Sequence, residues 1–430
     1  MRGLKRALAT AAVGGDGSDV AAILDRRLDP RLTQPIAVAF SGGGDSLGAL
    51  IATKAWADGC GRPVIALHVD HRLQAASGAW RDFAAEAAHR LGVGFCALAW
   101  TGDKPDRGLA DAARRARHGL IAEAARAAGA TAIVFGHTAD DNAESALMRV
   151  EGSSLGLARE WGPSPVWPQG RGLFLLRPLL GVRRAAIREA LRAGGWRWID
   201  DPANEDPRLP RAWARRRLGE GGDSLQAPAD ALDAPPPACA ASFDDWGVIR
   251  LDRERLRQAP ETAGRRLLAA AMLSVGGGER PPRPARVAAL LARLIGHEDF
   301  TATLAGARLV AAAEVLIARN SGEMARGGLA PVALDAGRPT VWDGRFELRT
   351  DRPGLGVVAV RGAQARLDAQ TRRRLRATPA SARPALPLVL DAAGALACPI
   401  LAGDDGVEVH CLIGARFSAA CGAVSKEPRA

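Results

Sequence analysis

The stretch "IAVAFSGGGDSLGALIA", Ile36 to Ala52, decides the fold. Residues 36–40 form the uninterrupted apolar run of a strand covered on both faces. Three glycines, an acid and a serine follow, and from Leu47 onward the apolar residues recur at helical spacing. Glycines at such a turn let the backbone bend tightly and bring its N–H groups close to a ligand. The start of the next helix adds a partial positive charge, so the loop Ser41-Gly42-Gly43-Gly44-Asp45-Ser46 makes an anion site, most simply for phosphates. Two familiar phosphate loops are excluded on residue identity. A Walker A loop ends in G-K-[ST], but Asp45 holds the Lys position, and the dinucleotide pattern G-x-G-x-x-G fails at Leu47. An acid in a phosphate loop repels phosphate unless a cation stands between them, so Asp45 points to Mg2+ beside a nucleotide. The simpler structural alternative is a tight strand-to-helix turn with Ser46 as its N-cap.

Working outward, strand-like and helix-like segments alternate. "PVIALHVD" (63–70), "VGFCALAW" (93–100) and "TAIVFG" (131–136) read as strands. Segments 47–58, 78–92, 108–129 and 139–150 read as helices between and after them. Such alternation needs crossover connections, hence an α/β fold with a doubly wound parallel sheet. Ligands bind beyond the C-terminal strand ends of such sheets, where the polar clusters 41–46, 68–71 and 136–144 fall. The Gly/Pro/Ala-rich 218–242 reads as a linker, 243–322 as a mostly helical domain, and 323–430 as a small mixed, partly irregular region with an unstructured end, "SKEPRA". The first domain is thereby bounded at 1–217. The basic start, "MRGLKRALATAAVGG", reads as a leading helix.

With 430 residues, two or three domains are expected. A net charge of +11 and a pI near 10.4 suit a polyanionic partner such as nucleic acid. The chain has no Tyr and very few Lys, so part of the Arg excess reflects biased codon usage. The 6 cysteines include no C-x-x-C pair, which disfavours disulfides, zinc knuckles and iron–sulfur clusters and favours a reducing cytoplasm. No apolar run reaches the ~20 residues of a membrane span. The sequence is compatible with a homodimer but does not specify one.

Ser41, Gly42, Gly43, Asp45 and Ser46 match every fixed position of S-G-G-x-D-S, so the loop resembles that of the ATP pyrophosphatase (PP-loop) superfamily. Five further segments, in order, are similar to one branch of it, the tRNA(Ile)-lysidine synthases. "ALHVDHRLQ" (66–74) carries His68, Asp70 and His71 at a strand end. "GLADAARRARHGLI" (108–121) resembles A-R-x-x-R-Y with Arg114 and Arg117, and "FGHTADDNAESALMRV" (135–150) supplies His137, Asp140, Asp141 and Glu144. "LLRPLLGVRR" (175–184) matches R-P-L-L, and "WIDDPANEDPRLPRAWARRR" (198–217) resembles D-P-S-N-x-D-x-x-F-x-R. Departures are His118 for Tyr, Asn142 for Gln, Ser145 for Thr, Ala110 for an acid, Glu151 for a basic residue, and Leu209, Pro210 and Trp213.

The resemblance implies a ligase that adenylates a cytidine of the CAU-anticodon isoleucine tRNA with ATP and Mg2+, then attaches free L-lysine. It places ATP on the loop and His68, Mg2+ at Asp45, and catalysis on Asp45, Arg114, His137, Asp140 and Glu144. Arg117, Asn204, Arg208, Arg211 and Arg215 are expected on the tRNA. Spacing agrees in part: Arg114 and Arg117 share a helix face at i, i+3, and Asp140 and Glu144 share one at i, i+4. The bland alternatives are a solvated basic face and helix-start acids that complement the dipole. tRNA thiolation by a related PP-loop enzyme would need reactive cysteines, and a tRNA-binding protein with a decayed site is the non-enzymatic alternative.

Overall fold

The computed structural model describes residues 19–429 apart from 75, 103, 152–157, 163, 165, 202–209, 222–240 and 403–405. The opening apolar run forms β1 (Ile36–Ala39), paired in parallel with β2 (Val64–Asp70) on one side and β4 (Ala132–Phe135) on the other. β3 (Gly94–Ala99) extends the sheet beyond β2, and β6 (Phe174–Leu176) extends it beyond β4, both in parallel. The short β5 (Trp161–Gly162) closes that edge antiparallel, giving the order β3-β2-β1-β4-β6-β5. The helices of this unit are α1 (Val20–Arg27), α2 (Gly44–Cys60), α3 (Ser77–Leu91), α4 (Leu109–Ala127), α5 (Ala139–Val150), α6 (Arg184–Ala193) and α7 (Pro210–Gly221).

Alternation along the strands feeds two cores. Ile36, Val38 and Val134 pack with residues of α1, α2, α3 and α6, such as Leu24, Leu50, Ala88 and Ile187. Ala37, Ile133 and Phe135 face the other way and pack with Ile121, Ala122 and Ala125 of α4. Both sheet faces are therefore covered, which is why the strands read as continuous apolar runs. Every strand-to-helix loop on the C-terminal edge is left to carry polar chemistry.

The chain divides into two compact units, Met1–Asp233 with Val424–Ala430, and Ala234–Ala423. α7 continues through Gly221, so the linker composition noted from 218 begins inside a helix; residues 222–240 lie outside the described residues, and the last two positions of that segment already belong to a strand. The second unit opens with β7 (Ala241–Phe243) and β8 (Ile249–Asp252), then α8 (Arg253–Gln258), α9 (Glu261–Gly276) and α10 (Pro284–Ile295). β9 (Phe300–Leu304), β10 (Ala307–Ala311) and β11 (Glu314–Arg319) follow. The helices expected here are present, and a five-stranded antiparallel sheet, β7-β8-β11-β10-β9, accompanies them. Its alanine-rich runs carry no β signal of their own. The signal that did exist is the two-residue turn Ala305–Gly306, with φ of 49° and 79°, the conformation that matches a hairpin to strand twist. Beyond Asn320, two small antiparallel sheets of four and three strands gather around Trp342 and Phe346.

The closing segment "SKEPRA" forms no helix or strand among its described residues, but it is pinned to the first unit. The Glu427 carboxylate accepts from Arg62 Nη1 and Nη2 at 2.7 and 2.9 Å, and both side chains are fully buried. Glu427 also accepts from the Asp29 backbone N–H at 3.1 Å and from the Thr131 hydroxyl. Arg62 spends its other donors on the Asp29 and Gln34 carbonyls. These groups stand just before β1, β2 and β4, at the sheet edge opposite the loop. Glu427→Ala leaves a buried guanidinium unpaired and is expected to lower stability by about 3–5 kcal/mol in urea titration. Arg62→Met with Glu427→Leu should restore most of that loss. A Glu427→Ala cost below about 1 kcal/mol, as for an exposed pair, would contradict the assignment.

Candidate active site

The backbone of the loop after β1 is shaped by what presses on it. Gly42 has φ 87°, and a Cβ there would lie 2.5 Å from Ile199 Cδ1. Its carbonyl accepts from the Ile199 N–H at 3.0 Å. Gly43 is the N-cap and α2 begins at Gly44, three residues before the Leu47 start read from sequence. Ser46 instead folds back inside the first turn, its Oγ donating to the Gly43 carbonyl at 2.9 Å and lying 3.1 Å from Ser41 Oγ. Trp198 packs over Gly44. The first-turn amides of α2 thus point out of the sheet edge beside two hydroxyls, the donor set an oxyanion needs.

The end of β4 closes on this loop. A Cβ on Gly136 would sit 2.6 Å from the Asp45 carbonyl oxygen and 2.8 Å from Ser46 Cα. Only glycine permits that approach, and it delivers α5 beside Asp45. The Thr138 N–H and hydroxyl both donate to Asp141 Oδ2, at 2.7 and 3.0 Å, which fixes the start of α5.

Around one arginine, four acids meet, three on its guanidinium and one on its backbone N–H. Arg184 donates from Nε to Asp45 Oδ2 at 2.8 Å and from Nη1 to Glu144 Oε1 at 3.0 Å. Its Nη2 lies 3.6 Å from Asp141 Oδ1, and its backbone N–H donates to Asp140 Oδ2 at 2.7 Å. α7 adds two more cations: Arg215 Nε reaches Glu144 Oε1 at 2.9 Å, and Arg211 lies 3.5 Å from Asp141. Asp45 Oδ1 and Glu144 Oε2 are buried with no hydrogen-bond partner among the described residues. Burial pushes the Asp45 carboxyl up from the usual carboxylate range, and Arg184 opposes that push. Burial works against the Arg184 charge, but Asp45, Asp141 and Glu144 hold its pKa above the ordinary value.

The other side of the site is cationic. Arg114 and Arg117 on α4, and Arg177 just past β6, form no salt bridge among the described residues. Burial, then the charge of Arg114, brings Arg117 and Arg177 down to about 10, still protonated at neutral pH. Burial and Arg211 lower Arg114 as well. His137 is half-buried, accepts at Nδ1 from Arg177 Nε at 3.2 Å, and is held well below its ordinary pKa by desolvation and then by Arg177. It is therefore a neutral ring that presents Nε2–H, a donor. His68 is the other tautomer, since its Nδ1 lies 3.0 Å from the Phe40 carbonyl and must donate. Burial keeps His68 and His71 low too.

The structure thus brings together Ser41, Gly42, Gly43, Gly44, Asp45 and Ser46 with Asp140, Asp141 and Glu144, and sets His68, Arg114, Arg117 and His137 along the same strand edge. Arg211 and Arg215, expected on tRNA, pair with the acids while staying 41% and 39% exposed. Asn204 and Arg208 lie outside the described residues. Arg177 and Arg184 were assigned no role from sequence, although both sit in the quoted "LLRPLLGVRR", whose position just past a strand end was the available signal. Cys60 ends α2 and Cys96 lies within β3, so neither of these joins the loop, and Cys239 lies outside the described residues. Among the described residues no group of three or more His, Cys, Asp or Glu stands ready for a metal. The orphaned Asp45 Oδ1 nevertheless fits Mg2+, which takes one or two carboxylate oxygens and completes its shell with phosphate and water.

Comparison with known proteins agrees with this edge. The pattern of the family described as PP-loop domain matches residues 18–221. The tRNA(Ile)-lysidine synthase of Caulobacter vibrioides is 48% identical over 95% of this chain and 98% of that protein. Those of Hyphomonas neptunium and Ruegeria pomeroyi are 35% and 34% identical, over 67% and 73% of this chain and 81% and 76% of theirs.

His118, in the place of a tyrosine, supplies a test of the electrostatics. It is buried, stacked on Phe135 at 5.2 Å, and burial followed by Arg117 lowers its pKa to about 2. The unfolded chain takes up this proton below pH ~6.5 and the folded chain does not, so stability falls as pH drops through that range. His118→Phe should remove about 2 kcal/mol of the loss measured between pH 7 and pH 5. Identical pH dependence in variant and wild type would contradict a neutral, buried His118.

Proposed function

The chain belongs to the tRNA(Ile)-lysidine synthase family of PP-loop enzymes, and from that membership we propose that it ligates free L-lysine to C2 of the wobble cytidine in the CAU-anticodon isoleucine tRNA. The observation that carries this reading is the adjacency of two unlike half-sites: an amide-rich phosphate loop and an acid cluster with one buried oxygen to spare on each of Asp45 and Glu144.

In the first step the cytidine O2 attacks the α-phosphorus of ATP, the bond to the β-phosphate breaks, and pyrophosphate leaves. The loop amides with Ser41 and Ser46 receive the charge that develops there. Asp45 Oδ1 would hold Mg2+, which would supply charge neutralisation at the leaving group. Arg114, Arg117 and Arg177, lacking carboxylates, take the phosphates of ATP and of the anticodon backbone. The base reaches the loop flipped out of its stack.

In the second step the lysine ε-amine attacks C2, the C2–O2 bond breaks, and AMP leaves with O2. The amine must shed a proton, and Glu144 is the acceptor: Oε2 is buried and free, while the neutral His137 offers a donor. Asp140 is already engaged by the Arg184 backbone and by Arg183, so it orders the start of α6. The second unit grips tRNA through phosphates, with exposed Arg372, Arg373, Arg374 and Arg376 on one short helix as its most basic element.

Labelled lysine, ATP, Mg2+ and a CAU-anticodon isoleucine tRNA transcript test the reading directly: incorporation into the tRNA is expected, and none by well-folded protein would contradict it. Asp45→Ala should abolish pyrophosphate release while leaving tRNA binding nearly unchanged. A collapse of tRNA binding would contradict the division between ATP and tRNA surfaces.

A further inference from the structure

Arg184 performs none of the steps above, yet it touches every acid of the site. Its planar fork sets Nε on Asp45 and Nη1 on Glu144, at 2.8 and 3.0 Å, with the two acids coming from α2 and α5. In each carboxylate the oxygen it holds is Asp45 Oδ2 or Glu144 Oε1, and the other oxygen is the buried one without a hydrogen-bond partner among the described residues. Four acids gathered this closely repel one another unless a cation stands among them. Arg184 is also anchored: its N–H is held by Asp140 at 2.7 Å, and its helix is seated against α2, where the Ile187 methyl would meet a Cβ on Gly48 at 2.7 Å.

Building on the lysidine-forming reading, we propose that Arg184 is a positioning residue that fixes one oxygen each of Asp45 and Glu144, leaving Asp45 Oδ1 for the pyrophosphate side and Glu144 Oε2 for the incoming amine. A guanidinium can span the two carboxylates and an ammonium cannot, because Lys is a point charge without a rigid fork. Arg215 shares Glu144 Oε1 from α7, on the side of Glu144 alone, whereas Arg184 joins Glu144 to Asp45.

Arg184→Met, Arg184→Lys and the wild type distinguish the outcomes. Calorimetry measures L-lysine binding in the presence of Mg2+ and a non-hydrolysable ATP analogue; kinetics measure kcat and the KM for lysine; thermal unfolding reports folding. For Arg184→Met we expect lysine binding and KM to weaken about tenfold and lysine transfer to fall about 100-fold, the scale of a misplacement near 1 Å. Arg184→Lys should fold as the wild type does and still lose most of the transfer rate. Methylguanidine should raise the rate of Arg184→Ala and leave Asp45→Ala unchanged, a rescue that a packing role would not produce. Arg184→Lys binding and transferring lysine as the wild type does would overturn the proposal, even if the Met variant failed to fold. Absence of transfer by the wild type would overturn the lysidine reading itself, whatever Arg184 does to lysine binding.

Discussion

A Cβ on Gly136 would fall 2.6 Å from the Asp45 carbonyl, so the end of β4 and the first turn of α2 are in direct backbone contact. The rest of the site follows from that contact. It sets the start of α5 beside the loop, which puts Asp141 and Glu144 within reach of the cation that also holds Asp45, and Asp140 on the backbone N–H of the same residue. A side chain at 136 would drive these layers apart, and each charge at the strand edge would lose a partner.

Charge is segregated across this edge. The acids share Arg184, Arg211 and Arg215, whereas Arg114, Arg117 and Arg177 face one another and neutral imidazoles. Such a division suits a reaction that joins an anionic nucleotide to a cationic amino acid. Neutral histidines fit the same plan, because the half-buried His137 and the buried His118 add polar groups without adding to the positive charge.

The first unit was legible because its signals are local. β1 is a bare apolar run closed by glycines, and α5 occupies the 139–150 read from helical spacing. The loop and the acids of α5 were legible for the same reason, as short polar clusters at strand ends. What escaped reading depends on distance along the chain. Arg184 and Asp45 are 139 residues apart, and Glu427 meets Arg62 across 365, so no window contains either pair. The sheet of the second unit escaped for another reason: in runs such as "ARLVAAAEVLIAR" alanine fits helix and strand alike, and only the Ala305–Gly306 turn discriminates. The closing segment, polar and short, gives no local sign that its glutamate is a buried counter-charge.

The central claim is that loop and acid cluster form one unit through a contact that admits no side chain. The ATP dissociation constant of Gly136→Ala, measured alongside its circular dichroism, tests this most directly. A native spectrum with affinity weakened about 100-fold, the scale expected when reacting groups move by about 1 Å, is the predicted result. Unchanged ATP affinity in a folded Gly136→Ala chain would contradict it.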